Sequence, residues 1–258
     1  ISAGVYVLFM RIQKIPFVIN KYSLLSGFFL TGVFVFFIAA NKLTTSANAI
    51  VLQYSAPIFI LILSAIIFKQ KFRRGDILTV TATSIGISLF FFDKISAGYI
   101  TGNLLALLAG LFFAAMFVTT GRADDKSRSS GILLGHLFTA IIGVPFVFIY
   151  STPVNTVTVL TILALGIFQL GIPYVLYGMA ARHCSALACS LISAIEPLLN
   201  PLWVFIFDGE MPGFYAIAGG SVVITAVVAW TVWSARTLDS AGTEAENSTD
   251  SNTNKKPG

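Results

Sequence analysis

A single carboxylate lies in the middle of a strongly apolar segment. Residues 184–212 read CSALACSLISAIEPLLNPLWVFIFDGEMP, which predicts one long helix over residues 184–207 with Glu196 near its centre and Pro197 directly after it. A charge at that depth in hydrocarbon costs about 2.5–3.5 kcal/mol on insertion scales. A functional cavity, a partner residue or protonation would offset that cost. Glu196 could therefore carry a proton or pair with a cationic ligand. In a structural role, it would instead accept hydrogen bonds where proline interrupts the helical ladder.

Other polar and aromatic residues share the helix face of Glu196. Ser193 lies three residues before it, Asn200 four after it and Trp203 seven after it. Residues three and four apart are neighbours on a helix surface. The spacing predicts a polar and aromatic stripe that lines a cavity. The alternative for Asn200 is an interhelical hydrogen bond, which averages under about 1 kcal/mol in membranes.

Two further segments place polar groups inside apolar stretches. Gln53 precedes Pro57 in the first half of the chain, and we expect its amide to line the same cavity. Tyr54 is a weaker candidate, because adjacent helical residues point about 100° apart. Gln169, Tyr174 and Tyr177 follow a spacing that suits one helix face. The tyrosine rings could stack on an aromatic or amphipathic substrate, or they could simply pack between helices.

The sequence offers no set of residues for catalysis. It contains no Ser/His/Asp arrangement, no glycine-rich phosphate loop and no cluster with metal-ligand spacing. One intramembrane acid without a second acid or a basic partner is a poor active site. We therefore expect no enzyme, no cofactor and no metal site.

The composition is typical of a polytopic membrane protein. Hydrophobic residues make up 56% of the 258 residues, and charged residues make up 10%, against about 25% in soluble domains. Apolar runs of about 20 residues predict membrane-spanning helices. The predicted helices cover residues 23–40, 45–68, 76–93, 101–121, 130–150, 157–180, 184–207 and 214–235, after a short helical stub at residues 1–10. The polar residues 236–258 predict a disordered tail.

The basic residues predict the orientation in the membrane. Alternate loops and the C-terminal tail hold 14 of the 16 Lys and Arg residues, and the opposite side holds only Lys42 and Lys94. Basic loops face the cytoplasm, so we expect a cytoplasmic C-terminus in a bacterial plasma (inner) membrane. The net charge of +5 indicates contacts with membrane lipids and does not require nucleic acid.

The chain resembles itself at an offset of 140 residues. AANKLTTSANAIVLQYSAPIFI (residues 39–60) aligns with MAARHCSALACSLISAIEPLLN (residues 179–200), which places Pro57 on Pro197 and Ala56 on Glu196. The charge distribution puts the first turn outside and the second inside, so the two copies have inverted topology. Inverted repeats are typical of secondary transporters, whose substrate site lies near the midplane between the copies.

Three stretches resemble the EamA family of the drug/metabolite transporter superfamily. They are ANAIVLQYSAPIFILILSAIIFKQKFRRGD (residues 47–76), GIFQLGIPYVLYGMAARHCSAL (166–187) and ISAIEPLLNPLWVFIFDGEMPG (192–213). The resemblance implies an all-α fold of ten helices in two five-helix repeats, one over residues 1–93 and one over residues 101–235. About nine helices are expected here, because the sequence looks truncated before its first complete helix.

These features together predict a secondary transporter of small metabolites. The resemblance implies an exporter of amino acids or related compounds, and the inverted repeats suggest alternating access. Proton exchange through Glu196 is the favoured coupling, with Pro57, Pro197 and Pro201 breaking or bending the helices around the cavity. The alternatives are a passive facilitator or, from another class, an intramembrane enzyme or a receptor-like binding protein.

Overall fold

The chain folds as a bundle of helices. The computed structural model describes residues 1–92, 99–149, 155–199, 206 and 213–253, and its side chains up to residue 233. These residues form helices and no strand. The elements are α1 (Ser2–Ile12), α2 (Lys21–Leu43), α3 (Ser46–Gln53), α4 (Ala56–Phe68), α5 (Arg74–Phe90), α6 (Ile100–Arg122), α7 (Asp125–Ile149), α8 (Thr156–Ala164), a π-helical stretch (Leu165–Gly171), α9 (Ile172–Ala180), α10 (Ala186–Ser193) and α11 (Phe214–Thr253).

The lengths and compositions of these helices confirm an all-α membrane protein. Six segments in the described part of the chain are long and apolar enough to span a bilayer. They are Lys21–Leu43, Ser46–Phe68, Ile100–Arg122, Asp125–Ile149, Thr156–Ala180 and Phe214–Trp233. Shorter apolar helices, Ser2–Ile12 and Ala186–Leu199, accompany them. Many large apolar side chains are exposed on the bundle, as a lipid-facing surface requires.

Four features of the helices differ from the prediction. The helix expected over residues 45–68 is divided into α3 and α4, and the long helix expected over residues 184–207 is interrupted after Ser193. α7 begins at Asp125, so Lys126 and Arg128 lie in its first turn and not in a loop. α11 continues to Thr253, past the start of the predicted disordered tail. Disorder of residues 236–258 stays a prediction, since that polar segment offers little apolar surface to bury.

Corresponding elements begin and end at the 140-residue offset. α3 covers Ser46–Gln53 and α10 covers Ala186–Ser193, while α5 starts at Arg74 and α11 at Phe214. The N-caps correspond too: the Thr45 hydroxyl accepts the Asn48 N–H, and the Ser185 hydroxyl accepts the Ala188 N–H. Each cap satisfies a backbone donor that the first helical turn leaves unpaired. The repeat is therefore visible in local structure, and the inversion of its two copies stays a prediction.

Glycines let two pairs of helices approach closely. α2 packs against α6 and α7, and a Cβ on Gly131 of α7 would lie 2.6 Å from Ser26 Cβ on α2. At the crossing of α5 and α11, a Cβ on Gly219 would lie 2.5 Å from the Gly86 carbonyl oxygen and would also meet the Phe90 backbone nitrogen. Small residues at such crossings permit backbone contact between membrane helices.

Gly219→Ala is expected to destabilise the protein, because the new methyl group would meet backbone atoms of α5 that cannot rotate away. Overpacking of this kind typically costs about 1–3 kcal/mol. The measurement is thermal stability of the purified protein in detergent. Gly220→Ala is the matched control, since its Cβ would make only an ordinary contact of 3.6 Å with the Phe90 ring. Equal stability of the two variants would contradict the close helix crossing.

Candidate functional site

The first helix interruption lies at Tyr54 and Ser55. α3 ends at Gln53, the two residues form a turn, and α4 begins at Ala56. Pro57 occupies the first turn of α4, where its missing N–H removes no helical hydrogen bond. The Ser55 hydroxyl donates a 2.6 Å hydrogen bond to the Leu52 carbonyl oxygen. The Leu52 carbonyl oxygen at the interruption is thus hydrogen-bonded by a side chain of the same segment, inside an apolar span.

The second interruption has the same form. α10 ends at Ser193, Ala194 and Ile195 form a turn, and helical structure resumes at Glu196 with Pro197 next to it. The Ser193 hydroxyl donates to the Cys189 carbonyl oxygen at 2.8 Å, one turn back along α10. Glu196 therefore starts a helical segment and does not lie in the interior of a continuous helix. Backbone N–H groups at such a start favour a negative charge nearby.

Tyr54 joins the two interruptions. Its hydroxyl lies 3.1 Å from the Ser193 carbonyl oxygen and 3.4 Å from Glu196 Oε2, and it can donate its proton to either acceptor. The Tyr54 side chain is 8% exposed, whereas Glu196 is exposed. The carboxylate is thus held at the edge of the core by a buried phenol from the other half of the chain.

Gln53 and α6 complete the surroundings of the first break. Gln53 is 8% exposed, and the described residues form no hydrogen bond with its amide side chain. Gly110 of α6 faces the break: a Cβ there would lie 2.9 Å from the Gln53 carbonyl oxygen and 3.1 Å from that of Leu52. The absence of a side chain at Gly110 lets α6 pack directly on the interrupted backbone.

Tyr174 and Tyr177 lie on α9 and are partly buried. Both pack against the apolar cluster that contains Tyr54. The Tyr174 ring stands edge-on to His136 at 5.0 Å and to Phe34 at 5.5 Å. The Tyr177 hydroxyl makes a short hydrogen bond with the Thr120 hydroxyl of α6. In this conformation both tyrosines fill the space between helices. This arrangement agrees with a role in helix packing and also with a position beside a substrate.

Gln169 lies apart from this cluster in the π-helical stretch Leu165–Gly171, and it is exposed. Single π-helical turns inside α-helices are rare and frequently occur at functional sites. The glycines of the stretch contact α1: Cβ atoms on Gly166 and Gly171 would lie 2.5 Å from Ile1 Cγ2 and 2.9 Å from Val5 Cβ. The structure thus brings Tyr54 to Ser193 and Glu196, and Gln53 directly precedes Tyr54 in the chain, whereas Gln169 lies in a stretch that packs on α1, α8 and α9. Asn200, Pro201 and Trp203 lie outside the described residues.

Tyr54 is the residue that sequence reasoning underrated. A continuous helix would turn Tyr54 about 100° away from Gln53. Tyr54 caps α3 with its N–H still bonded to the Ile50 carbonyl oxygen, so its phenol lies on a different face from Gln53 and reaches α10. The available signal was the alignment of the two Pro-containing segments, since a break beside one proline predicts a break beside the other.

Because the sequence predicts a transporter, Tyr54→Phe is expected to change the transport rate about threefold and to leave stability nearly unchanged. The variant keeps the buried ring and loses the hydroxyl that contacts Ser193 and Glu196. Interhelical hydrogen bonds in membranes average about 0.6 kcal/mol, which corresponds to roughly a threefold shift between two states. Initial transport rates in liposomes would measure it. Tyr215→Phe on α11, where the ring packs on Phe92, is the control. Identical kinetics for both variants and the unmodified protein would rule out a role for the contact.

A family model described as the EamA-like transporter family matches residues 1–92 and 100–232. An uncharacterized transporter of Archaeoglobus fulgidus is 25% identical over 196 residues, which are 75% of this chain and 70% of the relative. The pseudopaline exporter CntI of Pseudomonas aeruginosa is 22% identical over 185 residues, which are 71% of this chain and 65% of the exporter. The chain therefore spans about two thirds of the length of these relatives.

A solved crystal structure has the same fold. It superimposes with a TM-score of 0.75 at 16% sequence identity, over 90% of this chain and 84% of the other. At that identity the likeness concerns the arrangement of helices alone. The matching family and the named relatives are transporters, which are not enzymes.

Proposed function

Because the chain belongs to the EamA-like transporter family, we propose that it is a secondary transporter that exports amino acids or related small metabolites by alternating access. The observation that carries the proposal is the meeting of two interrupted helices at Tyr54, Ser193 and Glu196. Interrupted helices at membrane depth free backbone groups, and such groups are tolerated only where they are buried in protein or line a water-filled cavity.

The exposure of Glu196 supports a water-filled cavity beside it. The carboxylate is exposed and lies at the start of a helical segment inside an apolar stretch. If it faced lipid as an ion, insertion would cost about 2.5–3.5 kcal/mol. If it faces a cavity, that cost falls and the group can exchange protons with water. We therefore assign Glu196 as the proton-coupling group, with Gln53, Tyr54 and Ser193 around it.

The relation of the two halves supports alternating access. The breaks correspond at the 140-residue offset, and Tyr54 connects them through one hydroxyl group. The Tyr54 hydroxyl can move from one acceptor to the other when the two halves of the chain tilt relative to each other about the site. The export direction rests on the relative named as an exporter. The cytoplasmic C-terminus is proposed from the distribution of Lys and Arg, and the bacterial plasma (inner) membrane from the exporter relative in Pseudomonas aeruginosa.

Purified protein in liposomes tests the proposal. A panel of radiolabelled amino acids is loaded inside, and efflux is followed with and without a pH difference across the membrane. We expect protein-dependent movement of at least one compound, with accumulation driven by the pH difference. Equilibration without accumulation would instead identify a passive facilitator. If no amino acid or related metabolite moved, the transporter assignment would fail for this substrate class.

A further inference from the structure

A cavity with polar and apolar walls lies at the end of the bundle that the basic loops predict to be cytoplasmic. It has a volume of about 350 Å³ and is enclosed by the end of α4, the α4–α5 loop, the end of α6, the start of α10 and α11. Its volume falls within the range of small-molecule sites, about 300–1,000 Å³. Glu196 does not line it, so this cavity is distinct from the helix interruptions.

The rim of the cavity is cationic. Lys71, Arg73 and Arg122 line it, against the single carboxylate of Asp76. That carboxylate is already engaged: its Oδ1 accepts the Trp230 Nε1–H at 2.8 Å, and its Oδ2 accepts the Arg73 backbone N–H at 2.9 Å. Within the described part of the chain, the carboxylate-to-cation contacts of 4.0 Å or less involve other residues.

The two arginines are held in place by aromatic rings. The Arg122 guanidinium lies 3.5 Å from the centre of the Phe68 ring, and that of Arg73 lies 5.7 Å from the Trp233 ring. Such stacking uses the face of the guanidinium and leaves its N–H edge available. A planar fork of N–H donors is suited to a carboxylate or a phosphate.

The inner wall of the cavity is apolar. Ile60, Val118 and Leu187 line the cavity and are at most 5% exposed, so they form its floor below the exposed cationic side chains. Trp230, which is 8% exposed, lines the cavity as well. A ligand that satisfies both regions carries an anionic group at the rim and an apolar part below it. Inorganic anions would leave the apolar floor uncovered, and neutral hydrocarbons would leave the arginines without a partner.

We propose that this cavity binds an amphipathic organic anion, with its carboxylate or phosphate held by Arg73, Arg122 and Lys71 and its apolar part against Ile60, Val118 and Leu187. The anion can come from two sources, an anionic phospholipid of the same leaflet or a soluble amphipathic molecule. The proposal concerns binding alone and does not depend on the proposed transport function.

Tryptophan fluorescence reports on this cavity directly. The sequence has three tryptophans, and two of them, Trp230 and Trp233, line the cavity. The full chain carrying Trp203→Phe, reconstituted in phosphatidylcholine nanodiscs, therefore reports from the cavity alone. Octyl phosphate is the probe, and octanol and inorganic phosphate are its apolar and anionic halves. We expect octyl phosphate to change the tryptophan fluorescence in a saturable way. Octanol and inorganic phosphate should each bind at least about tenfold more weakly, as expected when a charge-assisted or an apolar contact is lost.

Variants distinguish the cavity from general surface charge. Arg122→Gln is expected to weaken octyl phosphate binding by about tenfold and to leave octanol binding unchanged. Arg122→Lys, which keeps the charge but not the planar fork, should bind with an affinity between those of Arg122→Gln and the unmodified protein. Arg74→Gln is the matched control, because Arg74 neighbours Arg73 in sequence but does not line the cavity. Equal binding of octyl phosphate and octanol would overturn the proposal. So would a loss of affinity in Arg74→Gln as large as in Arg122→Gln.

The lipid composition identifies the source of the anion. If phosphatidylglycerol in the nanodiscs competes with octyl phosphate, the site is supported and belongs to lipid. If octyl phosphate binds equally in phosphatidylcholine nanodiscs with and without phosphatidylglycerol, the site is supported and serves a soluble anion.

Discussion

Glu196→Gln is expected to abolish accumulation driven by a pH difference while downhill movement of the substrate continues. Glutamine keeps the size of the side chain but cannot gain or lose a proton, so it resembles a permanently protonated carboxyl group. For one proton exchanged per substrate, a difference of one pH unit supplies about 1.4 kcal/mol and can sustain a concentration ratio of about ten. In the variant that ratio should fall to one. The steady-state distribution in liposomes measures it, with substrate gathering on the acidic side for the unmodified protein.

Glu196→Asp is the conservative control, since it retains an ionisable group near Tyr54. Folding of Glu196→Gln is checked by thermal stability, which should be close to that of the unmodified protein because Glu196 is exposed. Full accumulation by the glutamine variant would show that the proton travels elsewhere. A folded variant with no movement of substrate in either direction would instead assign Glu196 to substrate binding, and the coupling proposal would be wrong.

Arg128→Met is expected to cost at least about 2 kcal/mol of stability, because two buried backbone carbonyls lose their donor and each such loss typically costs about 1–3 kcal/mol. Arg128 is 5% exposed and donates three hydrogen bonds at the junction of α6 and α7. Its Nε donates to the Thr120 carbonyl oxygen at 2.9 Å, its Nη2 to that of Ala123 at 2.6 Å, and its Nη1 to Asp125 Oδ1 at 2.7 Å. The two carbonyls lie at the C-terminal end of α6, where a helix leaves acceptors unpaired and favours a cation.

Methionine retains the apolar stem of Arg128 and removes all of its donors, so the expected loss reflects the hydrogen bonds. Arg182→Met is the control: its Nε lies 3.5 Å from the same Asp125 oxygen, in a pair whose carboxylate side chain is 52% exposed. Exposed pairs contribute about 0–1 kcal/mol. Thermal unfolding in detergent compares the two variants. Equal stability would mean that the α6–α7 junction does not depend on Arg128.

Arg128 also shows how far charge patterns can be taken from sequence. Its position among basic residues next to a span predicts a loop that faces the cytoplasm. The residue instead lies in the first turn of α7 with its charge turned inward. The numbers of Lys and Arg indicate orientation because the bias is counted over all loops on one side of the membrane. Whether a given side chain meets water or two backbone carbonyls depends on where the preceding helix ends.

The sequence by itself predicted the all-α class of the fold and the six segments of the described chain that are long and apolar enough to span a membrane. Hydrophobic length and composition set these, because every backbone polar group in hydrocarbon must be paired and helices achieve this within one segment. The alignment of Pro57 with Pro197 also located the two places where helices could be interrupted.

Only the tertiary structure decided which residues meet at those places. The Tyr54 hydroxyl meets Ser193 and Glu196, 139 and 142 residues away in the chain, because the interruption of one span packs against the interruption of the other. Close packing at Gly110 of α6 supports the first break. Spacing along one helix predicts its faces, but contacts between distant segments depend on how two interrupted helices pack, and no local pattern specifies that.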